Sequence, residues 1–464
     1  MSTPVIFIVF PFLLSLVLYF LQKRTRLIVA IGISTSILLM LFAFFQNFGA
    51  VWKIGPVSIE IKTTLAVLGR SFSIGNQDKY FLTFVYFFAA IWFGAVNLTR
   101  VSSRFIPFGL AIISILTAAL AVEPFLYSAI LIEIAILASI PLLLIPGNPP
   151  GKGVLRFIVF QSLAMPLILF GGWLLGGIQA SPSDTARLLQ AVLFLGIGFA
   201  LLLAIFPFQS WVPQLTLDIH PFISGFILGL FPIVTMLIML DFISGLVWLR
   251  ESQYLQPVLS LVGTIMVVST GIWAAIEKDG RRLLGYSVLL ESGLALLAVS
   301  MQSQISVLTL FVSFIPRMAS LALLALSLSI FMMNEIIPNL DNLSGMIRKY
   351  PFASSGLLIS LLSVVGFPLL AGFPVRLALL EQLALVNPVI SFWVLLGLVA
   401  FLSAVLRFLI QVSKPEGQGW QRGESTSQII FLIIGILVLL FLGIFPNFFS
   451  GQIAPLFVNL PILR

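Results

Sequence analysis

Phe206-Pro-Phe-Gln-Ser-Trp-Val-Pro213 is the stretch that decides the fold. Apolar sequence of membrane-spanning quality lies on both sides of it. Pro207 interrupts a helix that the composition would otherwise continue, and Pro213 is expected to close the break. Proline removes a backbone donor and its ring clashes with the preceding turn, so a helix breaks or ends there. At bilayer depth the freed backbone groups are tolerated only where protein or water covers them. Broken helices of this kind mark ion pathways.

The surrounding composition sets the class. The chain has 464 residues, 60% of them hydrophobic and 9% charged, with a mean hydropathy of +1.17. So little charge at that length means a polytopic membrane protein. The 35 Gly and 26 Pro fit kinked, closely packed spans, because the apolar content is too high for disorder. There is no Cys and one His, His220. That excludes Cys-ligated clusters, thiol chemistry and a multi-His metal or haem site. No Walker or dinucleotide fingerprint is present either. The expectation is therefore no cofactor and no metal in this chain, with any redox chemistry performed by another subunit. The net charge of +8 reads as basic cytoplasmic loops rather than a nucleic-acid surface. Residues 1–22 lack basic residues before the apolar run and a small-residue cleavage site, so they read as an uncleaved first span.

Runs of about 20 apolar residues predict an all-α polytopic fold of about 14 transmembrane helices. The seventh covers 187–206 and the twelfth 352–373. A short extramembrane hairpin is expected within 50–79, where Val57-Ser-Ile-Glu-Ile61 alternates. Loops after odd-numbered spans carry 14 Lys and Arg, and the other loops with the C-terminus carry 7. That bias puts the odd loops in the cytoplasm and both termini on the outer side of the cell membrane. Arg317, Arg376 and Arg407 remain, each within or beside a span.

A charge at bilayer depth costs several kcal/mol unless it is paired or wet, so each is a candidate functional group. Glu123 precedes Pro124 between two spans and reads as interfacial. Asp241 lies near a helix end and is expected to snorkel near Arg250. Glu133 is near mid-helix, its nearest polar chain neighbours being Ser128 and Ser139; Glu291 lies beside Ser287 and Ser292. Each can be a proton-relay group or a helix–helix hydrogen bond that holds the bundle together. Arg376 and Glu381 share a second broken segment, Gly366-Phe-Pro-Leu-Leu-Ala-Gly-Phe-Pro-Val-Arg376, interrupted at Pro368 and Pro374. Arginine keeps its proton, so Arg376 can fix a carboxylate's charge or hold water but not relay. Five residues apart, it and Glu381 point about 140° from each other and need not pair. Arg317, beside Pro316, and Arg407 complete the set, and His220 reads as a loop or capping residue. Two Pro-broken spans in corresponding places point to inverted five-helix repeats, 105–250 and 251–412. They are preceded by 1–104, with the hairpin, and followed by a loop and last helix at 413–464.

At this point the residues resemble a family. The opening stretch, with Pro207, Gln209, Trp211 and Pro213, resembles the "FPFHSWLP" motif of the antiporter-like proton-translocating subunits of respiratory complex I. Multi-subunit Na+/H+ antiporters and membrane-bound hydrogenases share that motif. Arg281-Arg-Leu-Leu-Gly-Tyr-Ser287 is similar to "KRLLAYSS", Leu343-Ser-Gly-Met-Ile-Arg-Lys-Tyr-Pro351 to "LGGLxRKMP", and the Gly366–Arg376 stretch to "GLPPLSGFIGK". The resemblance implies a membrane subunit that moves protons, or Na+, in concert with electron transfer in partner subunits. It also implies a hydrated axis of a Glu in helix 5, lysines further on and a Lys or Glu in helix 12. Glu133 and Arg376 fall on the first and last positions, and Arg317 on or beside the helix-11 lysine. Glu291 takes a helix-10 position where the family often has His. Leu202 stands where the helix-7 lysine would be, Ile233 near another lysine position, and Gln209 where the motif has His. Leucine cannot carry a proton, so the first half is expected to be inactive or to route protons through Glu133 and water. The second half, with Glu291, Arg317, Arg376, Glu381 and Arg407, is the better candidate for ion work. A degenerate structural subunit and a stand-alone cation/proton antiporter or small-solute transporter remain open as alternatives.

Overall fold

Inside a bilayer, backbone groups have no water to bond, so apolar runs must satisfy themselves as helices. The computed structural model describes residues 2–448 apart from 22, 50, 55–56, 61, 68, 145–146, 148, 181–184, 251, 416–419 and 421. In chain order the α-helices are α1 (Phe10–Phe20), α2 (Thr25–Phe45), α3 (Lys79–Ala95), α4 (Phe105–Ala121), α5 (Ser128–Leu143) and α6 (Lys152–Ala180). Next come α7 (Thr185–Leu202), α8 (Trp211–Asp218), α9 (Pro221–Gly245), α10 (Val247–Arg250), α11 (Leu255–Ile276) and α12 (Gly280–Ser300). The last are α13 (Gln304–Met333), α14 (Met346–Lys349), α15 (Pro351–Val365), α16 (Gly372–Val386), α17 (Pro388–Val412) and α18 (Thr426–Ile444). Among the described residues, 10 helices are long and apolar enough to cross a membrane. Shorter apolar helices, such as Phe105–Ala121 and Pro351–Val365, accompany them. The protein is a polytopic, mostly helical membrane protein.

Burial separates the core from the rim. Of the most apolar stretch of α12, 94% lies inside the protein, and of α9, 83%; for α18 the share is 22%. Helices α9 and α12 therefore form the centre, with α13 packed against both. The outer helices turn side chains such as Phe20, Phe45 and Leu385 outward, as lipid contact requires.

The region before α3 holds two antiparallel hairpins where one was expected. Strand β1 (Val51–Ile54) pairs with β2 (Val57–Glu60), and β3 (Thr64–Val67) with β4 (Arg70–Ser73). The second hairpin gains a third strand, β5 (Val122–Glu123), so Glu123 is a sheet residue on the edge of the bundle. Alternation in the sequence marked the hairpin signal; the partner strand is about fifty residues away and carries no local mark.

The first break runs from the end of α7 at Leu202 to the start of α8 at Trp211. Pro213 does not close an element, contrary to expectation. It lies in the first turn of α8, where a missing N–H leaves no helical bond unmade. The motif that resembles "KRLLAYSS" is built to receive α8. Asp279 caps α12 by accepting from the Arg281 N–H at 2.8 Å and pairs with the Arg281 guanidinium at 2.7 Å. That guanidinium donates to the Leu217 carbonyl at the end of α8, at 3.3 Å. One turn on, Gly285 lets the backbones meet: a Cβ there would stand 2.8 Å from the Pro213 Cα. Asp218 closes the other side by accepting from the Gly153 N–H at 2.6 Å, which caps α6.

Candidate ion site at the second helix break

The second break separates α15 from α16. Gly366 ends α15 with a φ of 89°, and the Gly366 and Phe367 N–H groups both return to the Leu362 carbonyl. This is a glycine-terminated helix end, a conformation that side-chain-bearing residues disfavour. The Ser363 hydroxyl, which accepts from the Ser320 hydroxyl at 2.9 Å, also accepts from the Gly372 N–H at 3.3 Å. The Val364 carbonyl, also in the last turn of α15, takes its donors from a side chain.

Arg376, one turn into α16, supplies them. Its Nε and Nη2 donate to the Val364 carbonyl at 3.3 and 3.1 Å. The same Nη2 forms an ion pair with Glu291 Oε1 on α12. Both side chains are 5% exposed, so this pair is held away from solvent. Arg317 on α13, 2% exposed, donates from Nη2 to the Ser292 hydroxyl at 3.4 Å, within electrostatic range of both Glu291 and Arg376. Its Nε has no hydrogen-bond partner among the described residues. Two guanidiniums thus surround one carboxylate at a helix break in the middle of the bundle. Of the three, only Glu291 can take up and release a proton.

The other two charges of the expected row lie elsewhere. Arg407 donates to the Ala275 carbonyl, one of the unpaired carbonyls at the end of α11, so it caps a helix. Glu381 is exposed on the outer face of α16, on the side away from the ion pair. Asp241 faces Asp78 across a cavity of about 100 Å³ and not Arg250 as expected, because α9 packs its end beside the start of α3. Asp78, just outside its span, is pushed up to about 6 by burial, against the Gly75 N–H that it accepts at 2.8 Å. His220 is a cap: its Nδ1 accepts from the Phe222 N–H at 3.3 Å at the start of α9. Burial lowers the imidazole to about 4.

At the first break an amide contacts the helix-end carbonyls. Gln161 on α6, 2% exposed, donates to the Leu201 and Leu202 carbonyls at 3.3 and 3.1 Å, the role that Arg376 plays for Val364. Glu133 accepts from the Ser162 hydroxyl at 2.7 Å, and its other oxygen is buried without a partner among the described residues. Arg156, a possible cation for Glu133, turns to Gln214 at 2.8 Å. Gln209 donates to Ser269 on α11 at 3.1 Å, and the Trp211 indole packs on Phe157. Neither Gln161 nor Ser162 was singled out in the sequence. The adjacent Gln161-Ser162 pair, polar within an otherwise apolar run, was the available signal.

A family model described as "NADH:quinone oxidoreductase/Mrp antiporter, TM" matches residues 152–403, more than half of the chain. The chain belongs to this family. NADH-quinone oxidoreductase subunit N 2 of Acidobacterium capsulatum is 24% identical over 323 residues, covering 64% of this chain and 65% of that one. NADH-quinone oxidoreductase subunit 13 of Thermus thermophilus is 24% identical over 455 residues, covering 93% of each. In three dimensions the chain matches a subunit of the Mrp complex from a Dietzia species with a TM-score of 0.85. That match covers 99% of both chains at 16% identity, which shows a shared fold. Within the family reading, the matched region runs from α6 through most of α17 and contains both breaks. Leu202, which the resemblance places at the family's helix-7 lysine, is 4% exposed and packed in the core.

Proposed function

We propose that this chain is a membrane subunit of an NADH:quinone oxidoreductase-like assembly and takes part in proton translocation driven by electron transfer in other subunits. It would sit in the cell membrane among other membrane subunits, with both termini outside, as the basic-residue bias of the loops suggests. Fourteen spans in two inverted five-helix repeats, 105–250 and 251–412, are the arrangement we infer. Supporting it is the presence in each half of a broken helix whose end carbonyls accept from a side chain, Leu202 from Gln161 and Val364 from Arg376. No cofactor is assigned to the chain.

The observation that carries the reading is the Glu291–Arg376 pair at the second break, with Arg317 beside it. An isolated structural pair would be cheaper to replace by apolar residues of equal volume. A carboxylate held between two permanent cations can instead change charge when a neighbouring subunit perturbs the break. Proton uptake by Glu291 would break the pair, and release would restore it. The first half supports a closed path: an apolar side chain at 202, a neutral Gln161 on its carbonyls, and Glu133 bonded to Ser162. The degenerate structural reading is therefore favoured for that half alone.

The test is proton pumping in membrane vesicles that carry the assembled complex. Glu291→Gln is expected to reduce pumping by about tenfold or more, the scale of a lost proton-transfer group. Glu381→Gln, on the outer face, is expected to change it little. Pumping unchanged in Glu291→Gln at normal assembly would leave a scaffold. Pumping that depends on Na+ in place of protons would change the ion but not the site.

A further inference from the structure

Beside the ion pair is a cavity of about 10 Å³, walled by Glu291, Arg376, Thr309 and Ser313 among apolar side chains. That is the space a single ordered water needs, and the wall supplies the polar partners it requires. A second cavity of about 260 Å³ lies between α13, α16 and α18, and Thr309 and Val375 belong to both walls. Its wall is mostly apolar, with two polar groups besides Thr309. Asn447 stands at one end, and Pro316 has no N–H to give the Val312 carbonyl one turn earlier, so that carbonyl lacks its helical donor.

Thr309 is the shared polar group. Its hydroxyl donates to the Ile305 carbonyl at 2.8 Å and accepts from Gln382 Nε2 at 3.3 Å. Gln382 Oε1 is buried and has no partner among the described residues. An amide oxygen in that position needs a donor, and water is the donor that fits between two cavities.

We propose that Glu291 exchanges protons with one face of the membrane through Thr309, along water in the two cavities, and that Gln382 is the positioning residue for that hydroxyl. This rests on the proton-translocating reading above. The face is the one at which α13 begins and α16 ends. In each transfer the Thr309 hydroxyl turns from the Ile305 carbonyl to water in the smaller cavity, gives that water its proton, and takes up one from hydronium in the larger cavity. The Glu291 carboxylate becomes a carboxylic acid, and Arg376 keeps its charge.

The experiment compares Thr309→Val, which removes the hydroxyl at constant shape, with Thr309→Ser, which keeps it, in vesicles carrying the assembled complex. Thr309→Val is expected to slow pumping by about tenfold while Thr309→Ser stays within about twofold. The chain has no Cys, so Ala378→Cys in the wall of the larger cavity offers a second readout. A membrane-impermeant, hydrophilic thiol reagent should label it from the stated face and not from the other. Normal pumping in Thr309→Val while Glu291→Gln stops it would overturn the route and leave the proposed function standing. Equal losses in both Thr309 variants would make the residue a packing element and overturn the route. Absence of labelling from either face would mean a lipid-filled groove, and labelling from the opposite face a different route; either overturns the proposal. Normal pumping in Glu291→Gln would sink both readings together.

Discussion

Glu291 is held by a partner 85 positions later in the chain, and its surroundings predict an asymmetric response to substitution. Glu291→Gln leaves Arg376 and Arg317 buried without their anion, a change worth about 3–5 kcal/mol of stability. The double variant Glu291→Gln/Arg376→Gln removes both members and should recover most of that loss while remaining unable to pump. Thermal unfolding of the purified complex reads the first effect; a double variant no more stable than the single would disprove the pairing. His220 gives a prediction with a pH sign. Its folded value of about 4 lies below the ordinary 6.5, so the unfolded chain binds a proton that the folded chain refuses. Its contribution is whole above pH 6.5 and declines as pH falls toward about 4. His220→Asn retains a capping acceptor, so its unfolding temperature should fall less between pH 6.5 and 4 than that of the unsubstituted protein. A parallel decline in both would refute the assignment. At this scale the sequence showed which residues carried charge at depth, but not their partners. Arg407 and Arg376 look alike in the chain; one caps α11 and the other meets Glu291, because only packing decides which helix end lies within reach.

At the scale of elements, the breaks were legible because proline chemistry is local, whereas what stands in each gap was not. Pro207 does interrupt a helix, yet Pro213 sits within the first turn of one, since the same missing donor is harmless there. The second break depends on Gly366 twice over. Its φ of 89° disfavours any side chain by roughly 1–2 kcal/mol, and a Cβ there would stand 2.5 Å from the Arg376 Cγ. Gly366→Ala should therefore displace Arg376 from Val364 and Glu291 and cut pumping more than it cuts assembly. Pumping and subunit content measured on the same vesicles separate the two effects. Equal falls in both would make Gly366 a folding residue only. The spans themselves were the most readable feature, since hydropathy alone sets their length. The three-stranded β3–β4–β5 sheet was the least, because β5 comes from a two-residue strand between α4 and α5.

At the scale of the molecule, the two helix breaks differ in charge, so on the proposed function the ion should pass by one of them. At each break helix-end carbonyls accept from a side chain, which comes from the separate helix α6 at the first break and from α16, the segment just past the break, at the second. In the second half that side chain is a guanidinium tied to a carboxylate; in the first it is the amide of Gln161. An amide cannot compensate a charge on Glu133, whose partner is a serine hydroxyl. The two breaks thus differ chiefly in their electrostatics. Glu133→Gln exchanges one hydrogen-bonding group for another and should leave pumping within about twofold of normal, with a stability change of about 1 kcal/mol. Glu291→Gln should reduce pumping by about tenfold or more. The pair of measurements, on complexes of equal subunit content, decides between one working half and two. If Glu133→Gln stops pumping as fully as Glu291→Gln, the first half carries protons through a hydrated Glu133 despite Leu202, and the asymmetry argued from charge is wrong.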